Sequence, residues 1–256
     1  MTLGKGKAGC PISLPGSWAT TGTVPMSTAD FLRGAAGASR FNWLTFDVSR
    51  ALPEGWDEEL KEVARRDRVT KHLVPPHSTS REGADISSLQ IMTVRGATVW
   101  ERLPWVIDLY RGYFRDLYQE ATGRKIYTSE DRRYAVVMNV QEGTDRYECH
   151  VDTNPVEALL YVTDHPRGTG GELVVANDTG ARSIEEVDAD CSVLYPVAGH
   201  LVFFDARRFP HYVRPMKQPG LRVAVGMNYY TDDCPEETRP EDLNEYLYGS
   251  TGVVSS

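Results

Sequence analysis

Cysteine is scarce in this chain, and no two cysteines lie close together. The four, Cys10, Cys149, Cys191 and Cys234, form no CxxC pair. That excludes both the usual spacing of a structural zinc site and the dense framework of a disulfide-stapled domain. They read as reduced thiols, and the expected compartment is the cytoplasm. Long hydrophobic runs are also absent. Apolar stretches such as 158–162 and 201–204 fall far short of the roughly 18 residues of a spanning helix, so no membrane role is expected. Cationic charge is in deficit, with 28 Lys and Arg against 36 Asp and Glu and a formal charge of −8, which argues against a broad grip on nucleic-acid phosphates. The first 22 residues contain no continuous apolar segment and do not read as a secretory signal. No internal repeat with a period of roughly 20 to 50 residues is present.

What remains is an ordinary globular composition, 41% hydrophobic and 25% charged over 256 residues. At about 150 residues per domain this allows one or two domains, and β-barrels of this size commonly form one. Residues 1–25, rich in Gly, Ser, Thr and Pro, are expected to form a flexible arm ahead of a single catalytic domain, 26–256. Within that domain, 26–125 reads as helical support and substrate lid, 130–232 as a strand-rich core and 233–256 as a tail. Ser27 or Thr28 is placed to cap a short helix, and 56–66 has charges on one face and Leu60, Val63 and Ala64 on the other. Trp100, Leu103, Ile107, Tyr110, Phe114, Leu117 and Tyr118 recur at helical spacing and predict one helix over 99–121. After Gly123 the period changes. Short β-branched or aromatic runs at 134–140, 158–163, 172–176, 200–204, 211–213 and 222–230, separated by turn residues, predict an antiparallel sandwich or barrel with helices packed outside.

Chemistry concentrates in His150, Asp152 and His211. Positions two apart on an extended strand point to the same face, so His150 and Asp152 can reach one metal. His211, opening another strand-like run, can complete a set of two imidazoles and one carboxylate, the facial arrangement that leaves open positions on a non-haem iron. An HxD pair alone is a common accident. The neighbouring sequence strengthens it: Arg222 lies 11 residues beyond His211, after a turn over 215–220. The next strand would carry its guanidinium back into the same interior, where it could hold a carboxylate bidentately.

These pieces together resemble the double-stranded β-helix (jelly-roll, cupin-like) core of Fe(II)/2-oxoglutarate-dependent oxygenases of the prolyl-hydroxylase-like branch. The resemblance spans 134–231 and is carried, in order, by RYECHVDTNP (146–155), GGELVV (170–175), PVAGHLVFFD (196–205) and PHYVRPMKQPGLRVAV (210–225). One departure is that the basic residue falls one position later than the family's usual ten after the distal His. The resemblance implies a mainly β, α+β fold with N-terminal helices outside the barrel. It also implies Fe(II) on His150, Asp152 and His211, 2-oxoglutarate as co-substrate anchored by Arg222, and O2 as oxidant. YECHVDTNP, LLYVTDHP, GGELVVAN and GHLVFFDARRFPHYVRP are further similar to bacterial enzymes that hydroxylate or chlorinate free amino acids, notably lysine-type radical halogenases. Those halogenases have Gly or Ala in place of the carboxylate ligand. Asp152 is present here, so hydroxylation of a free, cationic amino acid such as lysine or ornithine is the expected reaction, with succinate and CO2 as co-products. A peptide hydroxylase of the same superfamily and a non-catalytic cupin-type sensor are the alternatives.

The resemblance also suggests that Tyr161 assists Arg222 at the distal carboxylate, with a buried core tyrosine as the plain alternative. Asn139 and Tyr147 flank the expected barrel mouth, where either could touch co-substrate or substrate. For the amino acid's carboxylate the candidates are Arg81 and Arg95. For its amines they are Glu130, Asp131 and the group 228–232, including Asn228 and Thr231. Arg207, Arg208 and Arg214 read as a solvated rim or a second carboxylate clamp. His72, His77, His165 and His200 exceed the triad, and His165 is assigned to a turn.

Overall fold

The computed structural model describes residues 41–73, 79–82 and 89–240. The expected arm 1–25, the helix at Ser27 or Thr28, His77 and the end of the tail lie outside them. The strands are β1 (Trp43–Asp47), β2 (Val69–Leu73), β3 (Leu89–Val94), β4 (Tyr127–Thr128), β5 (Val136–Glu142), β6 (Val156–Tyr161), β7 (Leu173–Ala176), β8 (Cys191–Leu194), β9 (His200–Phe204), β10 (His211–Val213) and β11 (Leu221–Tyr230). The helices are α1 (Trp56–Asp67), α2 (Gly96–Arg102), α3 (Pro104–Leu109), α4 (Arg115–Thr122) and α5 (Ile184–Ala189), with a π turn over Tyr110–Phe114 between α3 and α4.

Two antiparallel sheets face each other. The larger runs β1-β9-β6-β11-β5-β3-β2, with β4 added on β11, and the smaller runs β10-β7-β8. Isolated bridges from His150 to His211 and from Ser80 to His150 extend the small sheet past β10. This is the mainly β jelly-roll core that the sequence predicts. β5, β6, β9 and β11 carry near-continuous apolar runs because both faces of the large sheet are covered. Its outward residues, among them Leu160, Phe203, Val225 and Tyr229, pack with Val106, Tyr110, Phe114 and Tyr118 of the helical layer. Its inward residues Leu159, Tyr161, Phe204 and Ala224 pack against Leu173, Val175 and Val213 of the small sheet.

Two features depart from the sequence reading. The segment read as helical support also contributes β1, β2 and β3 to the large sheet. The helix expected over 99–121 is broken twice. Pro104 starts α3 at its first position, where a missing N–H costs nothing, and the π turn follows. The apolar stripe survives both breaks, since Leu103, Ile107, Tyr110, Phe114 and Tyr118 are all buried. The π turn sets Tyr110 to tie down the end of β11: its hydroxyl donates to the Asn228 carbonyl at 2.7 Å and accepts from the Ser129 N–H at 2.6 Å.

The loop before β7 holds the turn that precedes β11. Lys217 N–H donates to Thr169 O at 2.9 Å and Gly171 N–H to Arg214 O at 3.2 Å. This contact requires glycine at 170. Its φ is +85°, and a Cβ there would stand 2.2 Å from the Pro215 carbonyl oxygen. Gly170→Ala should therefore lose roughly 2 kcal/mol or more of stability, from left-handed strain and backbone overlap together. Urea denaturation of the two proteins measures the difference.

Candidate active site

His150 and His211 face each other across an antiparallel bridge and exchange both backbone hydrogen bonds, each 2.9 Å. Cross-strand partners project to the same face, and here the ring centroids are 4.5 Å apart. Asp152, two residues past His150, turns its carboxylate between them. His150 Nε2 lies 3.2 Å from Asp152 Oδ1, and His211 Nε2 lies 3.8 Å from Oδ2. One donor atom from each of the three falls within 4.8 Å of the others, a spacing able to hold a metal ion.

Each imidazole is oriented through its other nitrogen. His150 Nδ1 meets the Glu148 carbonyl at 2.7 Å, and His211 Nδ1 meets that of Phe209 at 2.9 Å. With Nδ1–H donating to a carbonyl, Nε2 keeps its lone pair for the centre of the triad. Burial opposes charge on both rings. At His150 the Asp152 carboxylate outweighs burial and lifts the pKa to about 9, whereas at His211 burial, then repulsion from His150, lowers it to about 4. Asp152 is held below the usual carboxylate range by His150 and His211, against its own desolvation.

The sequence reading missed the brace behind this triad. Residues 79–82 lie alongside the His150 strand: Val151 N–H donates to Thr79 O at 3.0 Å and Arg81 N–H to Cys149 O at 2.6 Å. Glu82, buried, grips Arg146 through both carboxylate oxygens and accepts from Cys149 N–H at 2.8 Å. The segment holding the first ligand is therefore locked by a partly buried ion pair from outside the barrel.

Arg222 enters the same cavity from β11. It is 2% exposed, and its Nε donates to Gly171 O at 2.7 Å. Its guanidinium carbon lies 5.7 Å from the centre of the Tyr161 ring. Burial lowers its pKa, and among the described residues the groups that favour its charge are the phenols Tyr161 and Tyr147, with no carboxylate. Among the described residues the buried Tyr161 hydroxyl has no hydrogen-bond partner. A buried cation without an anion and a buried phenol without a partner are both costly arrangements, and the distal carboxylate of 2-oxoglutarate would satisfy both. The donor set thus fits iron, and the Arg222 region fits its co-substrate.

The remaining predicted residues divide clearly. Asn139, Tyr147 and Asn228 line the cavity. Thr231 is buried but pairs by backbone with Cys234 and does not line it. Arg81 lies beside the His150 bridge, yet its guanidinium turns to the Ser80 carbonyl at 2.9 Å and stays outside the cavity. Glu130 pairs with Arg111 on the surface, and Asp131 is engaged by Arg133. Arg95 precedes α2 and is not among the lining residues. Of the arginine cluster, Arg207 donates to the Thr153 carbonyl, Arg208 pairs with Asp205 and Arg214 with Asp188. Missed by the sequence reading were Glu157 and Arg239, both of which line the cavity. Glu157 projects to the same face of β6 as Tyr161, four residues away. That parity was visible once Tyr161 was placed inside.

The brace generates a prediction. Glu82→Ala, which removes the carboxylate but touches no triad atom, should weaken binding of a divalent metal by about tenfold, the usual scale for groups that orient ligands. Competition with a chromogenic chelator measures it, and unchanged affinity would show that the ion pair plays no part in presenting His150.

Comparison with known proteins agrees with the geometry. Residues 129–230 match the family described as the 2OG-Fe(II) oxygenase superfamily. No curated protein matches the chain in sequence. Among solved structures, AviO1 from Streptomyces viridochromogenes Tue57 is similar in fold, with a TM-score of 0.56 at 17% identity over 84% of this chain and 99% of that one. The non-heme alpha ketoglutarate dependent epimerase SnoN from nogalamycin biosynthesis gives 0.54 at 15% over 80% and 79%. The carbocyclase SnoK from the same biosynthesis gives 0.54 at 15% over 84% and 87%. At these identities the structures speak for the fold alone, while the sequence match covers the barrel that carries the triad and Arg222. The 2OG-Fe(II) oxygenase superfamily is thus what residues 129–230 are similar to in sequence.

Proposed function

We propose that this protein is an Fe(II)- and 2-oxoglutarate-dependent hydroxylase that oxidises an unactivated C–H bond of a free, cationic amino acid of the lysine or ornithine type. The observation that carries the co-substrate reading is the buried guanidinium of Arg222, without a carboxylate partner among the described residues and opening on the same cavity as His150, Asp152 and His211. A metal-binding barrel with no dicarboxylate to hold has no use for such a cation. The presence of Asp152 supports hydroxylation over halide transfer, because a carboxylate fills the position that a halide would need.

Bound iron with 2-oxoglutarate and O2 supplies an oxidant strong enough for an aliphatic C–H bond, with succinate and CO2 as co-products. The chain does the rest. His150, Asp152 and His211 would hold the metal, and their Nδ1 contacts fix the ring planes. Arg222 and the Tyr161 hydroxyl would hold the far carboxylate, so that the co-substrate's keto-acid end is turned toward the triad. Leu159, Leu173, Phe204 and Val213 wall the same cavity with apolar surface, which excludes water from the reacting carbon. Placing one C–H bond of the substrate over the metal is then a matter of side-chain contacts at the mouth, where position matters on the ångström scale.

The test is succinate formation across the free amino acids, with mass detection of a product heavier by one oxygen. Lysine or ornithine should stimulate turnover above the substrate-free rate. His211→Ala should lower it by roughly two orders of magnitude or more through loss of a metal ligand. Turnover stimulated by a proline-containing peptide and by no free amino acid would transfer the assignment to peptide hydroxylation. Unchanged succinate production in His211→Ala would remove the triad from the mechanism.

A further inference from the structure

One buried carboxyl in the barrel is used by neither the metal nor the co-substrate region. Glu157, 7% exposed, faces inward from β6. Its Oε2 accepts from Asn154 Nδ2 at 3.1 Å, and no ion pair engages it among the described residues. Oε1 points across the sheet to β11, where residue 226 is glycine. A methyl group on Gly226 would come within 2.8 Å of Glu157 Oε1 and 3.5 Å of Asn139 Nδ2. The missing side chain makes room for Glu157 Oε1 itself, so that polar tips from β5 and β6 converge in a notch over Gly226, on the wall of the cavity. Asn228, directly opposite Glu157 in the register, borders it on the same strand. Its Nδ2 is committed to the Tyr134 carbonyl, which leaves Oδ1 as an acceptor.

A carboxyl on an inward-facing position of a buried strand is expensive unless something compensates it. Here the fold supplies one amide donor to Oε2, with the charge of Arg239, which lines the same cavity, as a further partial compensation. Acceptors dominate the notch: the Glu157 carboxylate, Asn228 Oδ1 and, with its amide turned, Asn139 Oδ1. An ammonium offers three N–H donors and a positive charge, which matches three acceptors with one negative charge among them. A neutral alkyl group would leave all three unpaired. We infer that the notch over Gly226, formed by Glu157, Asn139 and Asn228, is the subsite that takes the cationic amine of the substrate, and that Glu157 sets the preference for a cationic over a neutral side chain.

This inference rests on the amino acid reading above, and the experiment separates the two. Protein loaded with Mn(II) and 2-oxoglutarate without oxygen is titrated calorimetrically with L-lysine, with its neutral analogue L-norleucine and with n-pentylamine. Lysine and pentylamine should bind, and norleucine should bind at least about tenfold more weakly than lysine, the scale of a lost buried charge pair. Glu157→Gln, which keeps shape and removes charge, and Gly226→Ala, which fills the notch from the opposite strand, should each weaken lysine and pentylamine by a similar factor. Retained binding of Mn(II) and 2-oxoglutarate in both variants verifies the fold. Equal binding of lysine and norleucine, no binding of either amine, or lysine affinity unaffected in Glu157→Gln would each overturn the inference. If the amines bind through Glu157 while no free amino acid supports succinate formation, the notch stands and the amino acid hydroxylase reading falls.

Discussion

The site depends on one pairing, the two backbone hydrogen bonds by which His150 and His211 hold each other across the edge of the small sheet. Because partners in an antiparallel bridge point the same way, this contact alone brings two imidazoles from residues 61 positions apart in sequence to one face. Everything around it preserves the register. On one side β10 continues into the small sheet through β7, and on the other 79–82 adds a further backbone partner to His150. A slip of one residue would turn a ligand to the opposite face. The Glu82–Arg146 pair, buried at its carboxylate, acts as a lock on register more than as a source of net stability, since the attraction is set against the desolvation of Glu82.

The two faces of the large sheet divide the labour. Outward residues of β6, β9 and β11 are apolar and fix the sheet to the helices. Their inward neighbours alternate between core packing and chemistry: Glu157, Leu159 and Tyr161 on β6, and Arg222, Ala224, Gly226 and Asn228 on β11. Small residues at 224 and 226 keep the middle of β11 open between its charged end and its amide end. The same two strands can therefore hold a carboxylate at Arg222 and, in the proposed reading, a cation over Gly226, with the triad facing both from the small sheet.

Much of this was legible in the sequence, and the limits have physical causes. β9 and β10 matched their apolar runs residue for residue and β11 nearly so, while β6 starts and ends two residues before the expected 158–163; strands covered on both faces show a strong apolar signal. β1, β2, β3, β4 and β8 were not anticipated. β1 and β2 lie at the two edges of the large sheet and β8 at an edge of the small one, where stretches such as WLTFD, VTKHL and CSVL mix polar and apolar residues as exposed edges require. The triad followed from the two-residue spacing of His150 and Asp152 and from the family resemblance, and Arg222 followed from its distance beyond His211. Glu130 and Arg81 were chosen for charge and nearness in sequence, but surface and local backbone partners engage them instead. Glu157 escaped notice because a single acid within VEALLY reads as an ordinary exposed position until a second sheet is known to cover it. Glu82 and Arg239 come from outside the barrel segment, so no pattern within the core could reveal them.

A buried guanidinium with no carboxylate beside it, next to a buried phenol with no hydrogen-bond partner, both among the described residues, is the feature that separates a 2-oxoglutarate enzyme from a barrel that merely binds metal. It is most directly tested by anaerobic titration of the Fe(II)-loaded protein with 2-oxoglutarate, followed by the visible charge-transfer absorption of the chelate, in the wild type and in Arg222→Leu. Saturable binding is expected in the wild type and a loss of about a hundredfold in affinity in the variant, with iron retention unchanged, as when one partner of a buried charge pair is removed. Equal affinity in the two proteins, or no chelate absorption in the wild type, would contradict the 2-oxoglutarate reading.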